Sequence, residues 1–378
     1  MCQMMTLALP KLDQEPMGCT MQGPATSLLG VTREEMVRLV LELGEPAFRG
    51  QQLFAAIFRE QRSSFAEMSN IPRRLRDNLA LRFSLARPDI ATLQVSADGT
   101  RKYAFGDGDH AFEAVYIPEV AKERTTNTLC LSSQTGCSLG CRFCFTASIR
   151  QPRNLTAAEI VGQLLAVLDD VAALGDLSKV TNVVFMGMGE PLLNYAEVVK
   201  AARILIDDAG LDFSSRRVTV STAGIVPRIR DLGRDLPVQL AISLNATTDA
   251  VRDEIMPINR KWPLGDLLQA LRDFPLKSRR RFTVEYVLLK GINDSLEDAK
   301  RLPKLLAGIP VKVNLLPLNA HDRTDLLPPD ESRVLHFQEH LKRAGITAHI
   351  RTPRGRDIAA ACGQLGHALT SGHSDASK

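Results

Sequence analysis

From Thr128 onward, short runs rich in β-branched and apolar residues alternate with longer stretches of helical periodicity, and this alternation limits the fold more than any other feature of the chain. The runs fall at 129–132, 180–186, 217–221, 238–244, 281–289 and 311–316, with a last one at 346–351. Strands separated by helical stretches such as 156–173 form βα units, which satisfy their backbone by parallel pairing and bury both sheet faces. Six such units predict an α/β fold closing as a right-handed barrel or partial barrel. The helices lie outside and the working residues on loops after strand C-termini.

Ahead of this region, Thr32 and Glu35 have the spacing of a capping box opening an amphipathic helix through Met36, Leu39, Val40 and Leu43, stopped by Gly44. A second helix follows Pro46, carrying Phe48, Leu53, Phe54, Ile57 and Phe58, and a third begins near Asn70-Ile71-Pro72. Alternating segments at 90–95, 102–105 and 112–117, with an Asp98-Gly99 turn, predict a short antiparallel extension. The expected organisation is a flexible leader at 1–30 and a helical accessory domain at 31–88, a candidate RNA-binding element. A β extension at 89–127, the barrel at 128–365 and a flexible tail at 366–378 complete it.

The 378 residues are 44% hydrophobic and 24% charged, which excludes disordered and collagen-like classes. With no apolar stretch of membrane-spanning length and no basic-then-apolar leader, a cytoplasmic protein with no membrane association is expected. The net charge of +4 tolerates a polyanionic partner without demanding one. Lys277 and Arg279 to Arg281 form a local basic run, readable as a phosphate contact or as a solvated face.

Seven cysteines, three of them within eight residues, do not suit a secreted disulfide framework and point to metal or redox chemistry in a reducing compartment. Cys137, Cys141 and Cys144 put three soft thiolates in one loop directly after the first barrel strand, a donor set that selects iron–sulfur or zinc. Structural zinc needs a fourth Cys or His, and none of the seven histidines is nearby in sequence. Three ligands on a cluster that usually takes four leave one iron open to a small molecule. Gly187-Met188-Gly189-Glu190-Pro191 closes the second barrel strand, with glycines that permit close backbone approach and a carboxylate able to accept from an ammonium group.

The C-x3-C-x2-C loop resembles that of the radical S-adenosylmethionine (SAM) superfamily, whose open iron chelates the amino and carboxylate groups of SAM; Gly187 to Pro191 resembles its amino-group site. From about residue 31 to 366 the chain resembles the RlmN family, RNA methyltransferases acting on adenine carbon 2, with the carbon-8 enzymes of the Cfr type as close relatives. The carriers include Phe112 to Pro118, Cys130, Arg153 to Thr156, Gly189 to Asn194, Ser221 to Pro227, Ser243 to Asn245, Met256 to Asn259, Val284 to Tyr286, Pro317 to Asn319 and Asp357 to Leu365. Phe145 to Pro152 departs from the pattern, lacking a glycine the family often carries.

The resemblance implies a radical SAM partial (β/α)6 barrel holding a 4Fe-4S cluster on Cys137, Cys141 and Cys144. It implies SAM, two molecules per turnover, at Gly189, Glu190, Ser221, Ser243, Leu244, Asn245 and Asn319. Adenine carbon 2 is electron-poor and does not attack a methyl cation. In the family a cysteine, here Cys362, first takes a methyl from one SAM, and a 5'-deoxyadenosyl radical made from a second SAM abstracts hydrogen from it. The carbon radical adds to the ring, a glutamate matching Glu113 removes the ring proton, and a second thiol matching Cys130 releases the product, leaving a disulfide with Cys362. The implied partners are 23S rRNA and tRNA, an external electron donor and a thiol reductant, with the enzyme a monomer.

Overall fold

The computed structural model describes residues 26–121, 124–149, 152–175 and 179–366. The expected capping box opens the first helix, α1 (Arg33–Glu42): Glu35 N donates to Thr32 Oγ1 at 3.3 Å and Thr32 N to Glu35 Oε2 at 2.9 Å. Its fully buried Met36 and Val40 pack toward α2 (Phe48–Phe58), where a Cβ on Gly50 would stand 2.5 Å from Val37 Cα, so only glycine lets the two backbones approach this closely. The third helix, α3 (Arg73–Arg82), follows Pro72 as the sequence predicts.

The leader is shorter than expected. Thr26–Ser27 pairs with Phe83–Ser84, and Leu28 and Leu29 in the following turn are buried. Apolar side chains that dock against the helix at Ala157–Ala172 cannot belong to a loose leader. Residues 1–25, with Cys2 and Cys19, and the expected tail beyond Gly366 lie outside the described residues.

Strands β1 (Ile90–Val95), β2 (Arg101–Phe105) and β3 (Phe112–Ile117) form the antiparallel extension, and β3 pairs antiparallel with β4 (Thr128–Cys130). From β4 the sheet runs parallel through β5 (Asn182–Phe185), β6 (Val218–Thr222), β7 (Gln239–Ser243), β8 (Phe282–Leu288), β9 (Val311–Pro317) and β10 (Ala348–Ile350). Spatial order thus follows chain order across ten strands. Helices α4 (Ala157–Ala172), α5 (Tyr195–Ile206), α6 (Val226–Asp235), α7 (Asp249–Ile255), α8 (Leu264–Asp273), α9 (Leu296–Leu305) and α10 (Glu331–Arg343) fill the crossovers. On β8 the side chains of Val284, Tyr286 and Leu288 are fully buried, whereas Glu285 and Val287 between them are half-buried on the opposite face.

The sheet stays open between β10 and β1, as a partial barrel does. The chain after β10 crosses this gap and is gripped by the β1–β2 turn: Arg354 Nε donates to Asp98 Oδ2 at 2.9 Å, Gly355 N to the same oxygen at 3.0 Å, and Ser96 Oγ to Asp357 Oδ1 at 2.6 Å. That strap carries Cys362. Among the described residues no helix is long and apolar enough to cross a membrane.

Candidate active site at the strand C-termini

The cysteine loop leaves β4 at Cys130 and is seated by backbone bonds that extend the sheet: Leu131 N donates to Val184 O at 2.9 Å and Gly187 N to Leu131 O at 3.0 Å. Gln163 on α4, wholly buried, accepts from Ser132 N and donates to Ser132 O, both at 3.0 Å, replacing a ladder partner. On its far side Arg142 N donates to Ile255 O at 3.1 Å, and Leu139, Cys141 and Phe143 pack on a satellite core containing Ala223, Ile255 and Met256.

Cys137, Cys141 and Cys144 lie within mutual electrostatic reach. Burial pushes the Cys137 thiol up to about 12, and raises Cys141, beside the other two, and Cys144, which Thr146 tempers by hydrogen bonding. Among the described residues no three His, Cys, Asp or Glu side chains converge on a single metal ion. Three soft thiols that do not converge on one point, with no fourth donor among the described residues, fit the corners of an iron–sulfur cluster better than the closed tetrahedron of structural zinc.

Beside this loop, Gly189 has φ +98°, and a Cβ there would stand 2.5 Å from Gln134 Cβ; only glycine fits. Glu190 is buried and already accepts Leu192 N at 3.0 Å and Ala223 N at 2.8 Å, binding the β5 loop to the β6 loop. Burial raises its carboxyl, against hydrogen bonds from Ala223, Thr222 and Leu192. Two oxygens offer about four acceptor sites, so capacity for an ammonium group remains.

Ser221 and Ser243 stand half-buried at the ends of β6 and β7. Leu244 is buried, its N donating to Glu285 O at 3.0 Å. Asn245 adopts a left-handed φ of 58° and its Oδ1 accepts Val287 N at 2.8 Å, joining β7 to β8. Asn319 Nδ2 donates to Cys362 O at 3.1 Å. All these residues occupy one rim of the sheet.

The strap completes the site. Phe145 N donates to Gly363 O at 2.7 Å, Thr146 Oγ1 to Leu365 O at 2.9 Å, and Gly366 N to the Glu113 carboxylate at 2.8 Å. Cys362 remains open to solvent, while protein encloses it on most sides; this raises its thiol to about 11, with Glu285 and Cys144 adding to the rise. Cys130 is buried, and its thiol is pushed far up by burial and then by the neighbouring Cys362. Five cysteines are free thiols among the described residues.

The sequence does not single out Lys102, buried on β2 with Nζ 3.6 Å from Glu113 Oε1, or Arg252, buried on α7. Both carry the charge of ordinary solvated positions, and no local pattern distinguishes them. The basic run, conversely, is not placed for phosphate at the site. Arg281 precedes β8, so the run lies at the strand N-termini, opposite the cysteines; Arg280 donates to Pro237 O and, at 2.9 Å, to Ser215 Oγ, and Arg281 to Thr347 Oγ1 at 3.0 Å. Those guanidinium groups brace the bottom of the barrel.

Residues 131–302 match the radical SAM superfamily, and residues 26–85 match the ribosomal RNA large subunit methyltransferase N-terminal domain. The dual-specificity RNA methyltransferase RlmN of Geobacter sulfurreducens is 48% identical over 339 residues, covering 89% of this chain and 91% of that protein. That of Syntrophobacter fumaroxidans is 48% identical over 335 residues, covering 88% and 96%. The crystal structure of a radical SAM methyltransferase from Sphaerobacter thermophilus superposes with a TM-score of 0.83 at 38% identity, covering 90% of this chain and 99% of that one. On the two family matches, the identity along nine-tenths of its length and the shared fold, the chain belongs to the RlmN family of radical SAM methyltransferases.

Proposed function

We propose that this chain methylates carbon 2 of an adenine in RNA, in 23S rRNA and in tRNA beside the anticodon, through an S-methylcysteine on Cys362. The observation that carries this reading is the strap's seating of Cys362 beside the three-thiol loop, through Phe145 N to Gly363 O and Asn319 Nδ2 to Cys362 O, near enough to the buried Cys130 for its charge to raise that thiol. A lone buried cysteine is ordinary packing, whereas a second free thiol close enough to act on it supports thiol–disulfide exchange between the two.

The cluster and SAM, when bound, supply the methyl group and the one-electron chemistry that a closed-shell transfer to an electron-poor carbon lacks. Cys137, Cys141 and Cys144 would hold the cluster, and Gly189, Glu190, Ser221, Ser243 to Asn245 and Asn319 would hold SAM at the same rim. Cys362 Sγ carries the methyl carbon to the ring, and Asn319 and Phe145 fix its backbone. Glu113 takes the ring proton. Cys130 Sγ, as its thiolate, attacks Cys362 Sγ; the pair of the broken sulfur–carbon bond moves onto the transferred carbon, which takes up a proton to become the product methyl. A Cys130–Cys362 disulfide forms that an external thiol reopens by exchange, while an external redox partner supplies the one electron that starts each turnover and takes back the one released as the ring proton leaves. The adenine must be unstacked to reach this depth, so loops and flipped bases are the expected substrates.

Intact mass of protein made in cells tests the reading. One added methyl on Cys362, lost in Cys362→Ala, and an RNA adduct retained in Cys130→Ala are expected. An unmodified Cys362 with full activity in Cys362→Ala overturns it. Nucleoside mass spectrometry distinguishes carbon 2 from carbon 8.

A further inference from the structure

Arg252 is fully buried, and every hydrogen-bond acceptor around it is neutral. Its Nε donates to Leu244 O at 2.9 Å, Nη1 to Asn259 Oδ1 at 2.9 Å, and Nη2 to Ala223 O at 2.6 Å and Ser243 O at 3.1 Å. Asp249 and Asp253 add a weaker charge interaction than Cys141 does, but Arg252 donates its hydrogen bonds to neutral acceptors and Asn259 stands between, its Nδ2 donating to the two carboxylates at 3.0 Å and 2.7 Å. Carbonyl dipoles solvate a cation without neutralising it, so a guanidinium placed here stays a source of positive field in a medium that screens it poorly.

The other side of that field is the cysteine loop. Arg142 N binds Ile255 O, one turn beyond Arg252, and Cys141 packs on the core that contains Ile255 and Met256. Arg252 and Cys141 thus lie within each other's electrostatic reach.

We propose that Arg252 is the fixed counter-charge of the iron–sulfur cluster and sets how readily that cluster accepts an electron. The assignment rests on Cys137, Cys141 and Cys144 being the cluster ligands. Reduction adds a negative charge to an already anionic cluster–thiolate unit, and net charge and burial are among the terms that set its potential. A permanent cation beside Cys141 stabilises the reduced form more than the oxidised one. Arg252 touches no reacting atom and is a positioning residue, which also ties the loops after β6 and β7 to α7.

The experiment is an EPR-monitored redox titration of the reconstituted full-length protein, comparing wild type with Arg252→Gln and Arg252→Lys. In Arg252→Gln the ratio of reduced to oxidised cluster at a given potential is expected to fall about tenfold, a midpoint about 59 mV lower for one electron. Arg252→Lys, which keeps the charge and loses the fork, is expected to stay within about threefold of wild type. An unchanged midpoint in Arg252→Gln, or equal shifts in both variants, overturns the assignment. If Arg252→Gln takes up no iron and sulfide while Arg252→Lys loads fully, the charge requirement stands; failure of both to load makes Arg252 a structural tie and overturns it. Wild type that takes up neither iron nor sulfide removes the ligand assignment itself, a result separable from the others.

Discussion

Lys102 and Glu113 form an ion pair at 3.6 Å on adjacent strands of the extension, with side chains only 2% and 0% exposed. Burial lowers the Lys102 pKa and the Glu113 charge raises it again. The pair also holds the strap, since Lys102 Nζ donates to Ala359 O at 3.4 Å and the Glu113 carboxylate accepts Gly366 N. Lys102→Met leaves a carboxylate buried without its cation and is expected to cost about 3–5 kcal/mol. Lys102→Met with Glu113→Gln removes both charges and should recover part of that loss. Urea denaturation of the single and double variants measures it; additive losses would show the pair to be uncoupled.

Asp98 gives the strap a pH dependence. Burial pushes its carboxyl up, but hydrogen bonds from Thr100, Gly355 and Arg354 outweigh this and hold it well below the ordinary value of 3.8. A carboxyl depressed in the folded state stabilises above its unfolded value and loses that contribution as pH falls through the folded one. Docking of residues 354–366 is therefore expected to be intact at neutral pH and to loosen only below about pH 4. Asp98→Asn should bring that loosening to pH 7, read as amide hydrogen exchange at 355–366 faster by about fivefold or more. Unchanged exchange in Asp98→Asn excludes the clasp.

Gly189→Ala places a methyl group against Gln134 at a φ that side chains rarely adopt. Gln134 Oε1 accepts Glu190 N at 2.8 Å, so displacing Gln134 moves the carboxylate loop as well. A loss of about 1–3 kcal/mol in stability from backbone strain is expected, together with weaker SAM binding by calorimetry. A variant with wild-type affinity would place SAM elsewhere.

The basic run is expected to act on folding and not on RNA. Arg280→Ala removes the donor to Pro237 O and Ser215 Oγ and should cost about 1–3 kcal/mol by thermal unfolding. RNA affinity and its salt slope should stay unchanged in Arg279→Ala and Arg281→Ala. A shallower slope in either variant restores the phosphate role.

What the sequence determined by itself is everything written in local periodicity and spacing. The strand-and-helix alternation set the parallel sheet, Thr32 and Glu35 set the start of α1, and three thiols in one loop set the soft donor site, because each of these is a property of neighbours along the chain. Cys130 and Cys362 were legible only through family resemblance, since no spacing relates them. Tertiary structure alone decided that a strap crosses the open edge to bring them together, that Leu28 and Leu29 belong to the core, and that Arg280 braces the barrel floor. It alone turned Lys102 and Arg252, two cations indistinguishable in sequence from solvated ones, into buried charges. Burial and long-range pairing depend on what the rest of the chain places around a side chain, and that environment exists only once the sheet has curled.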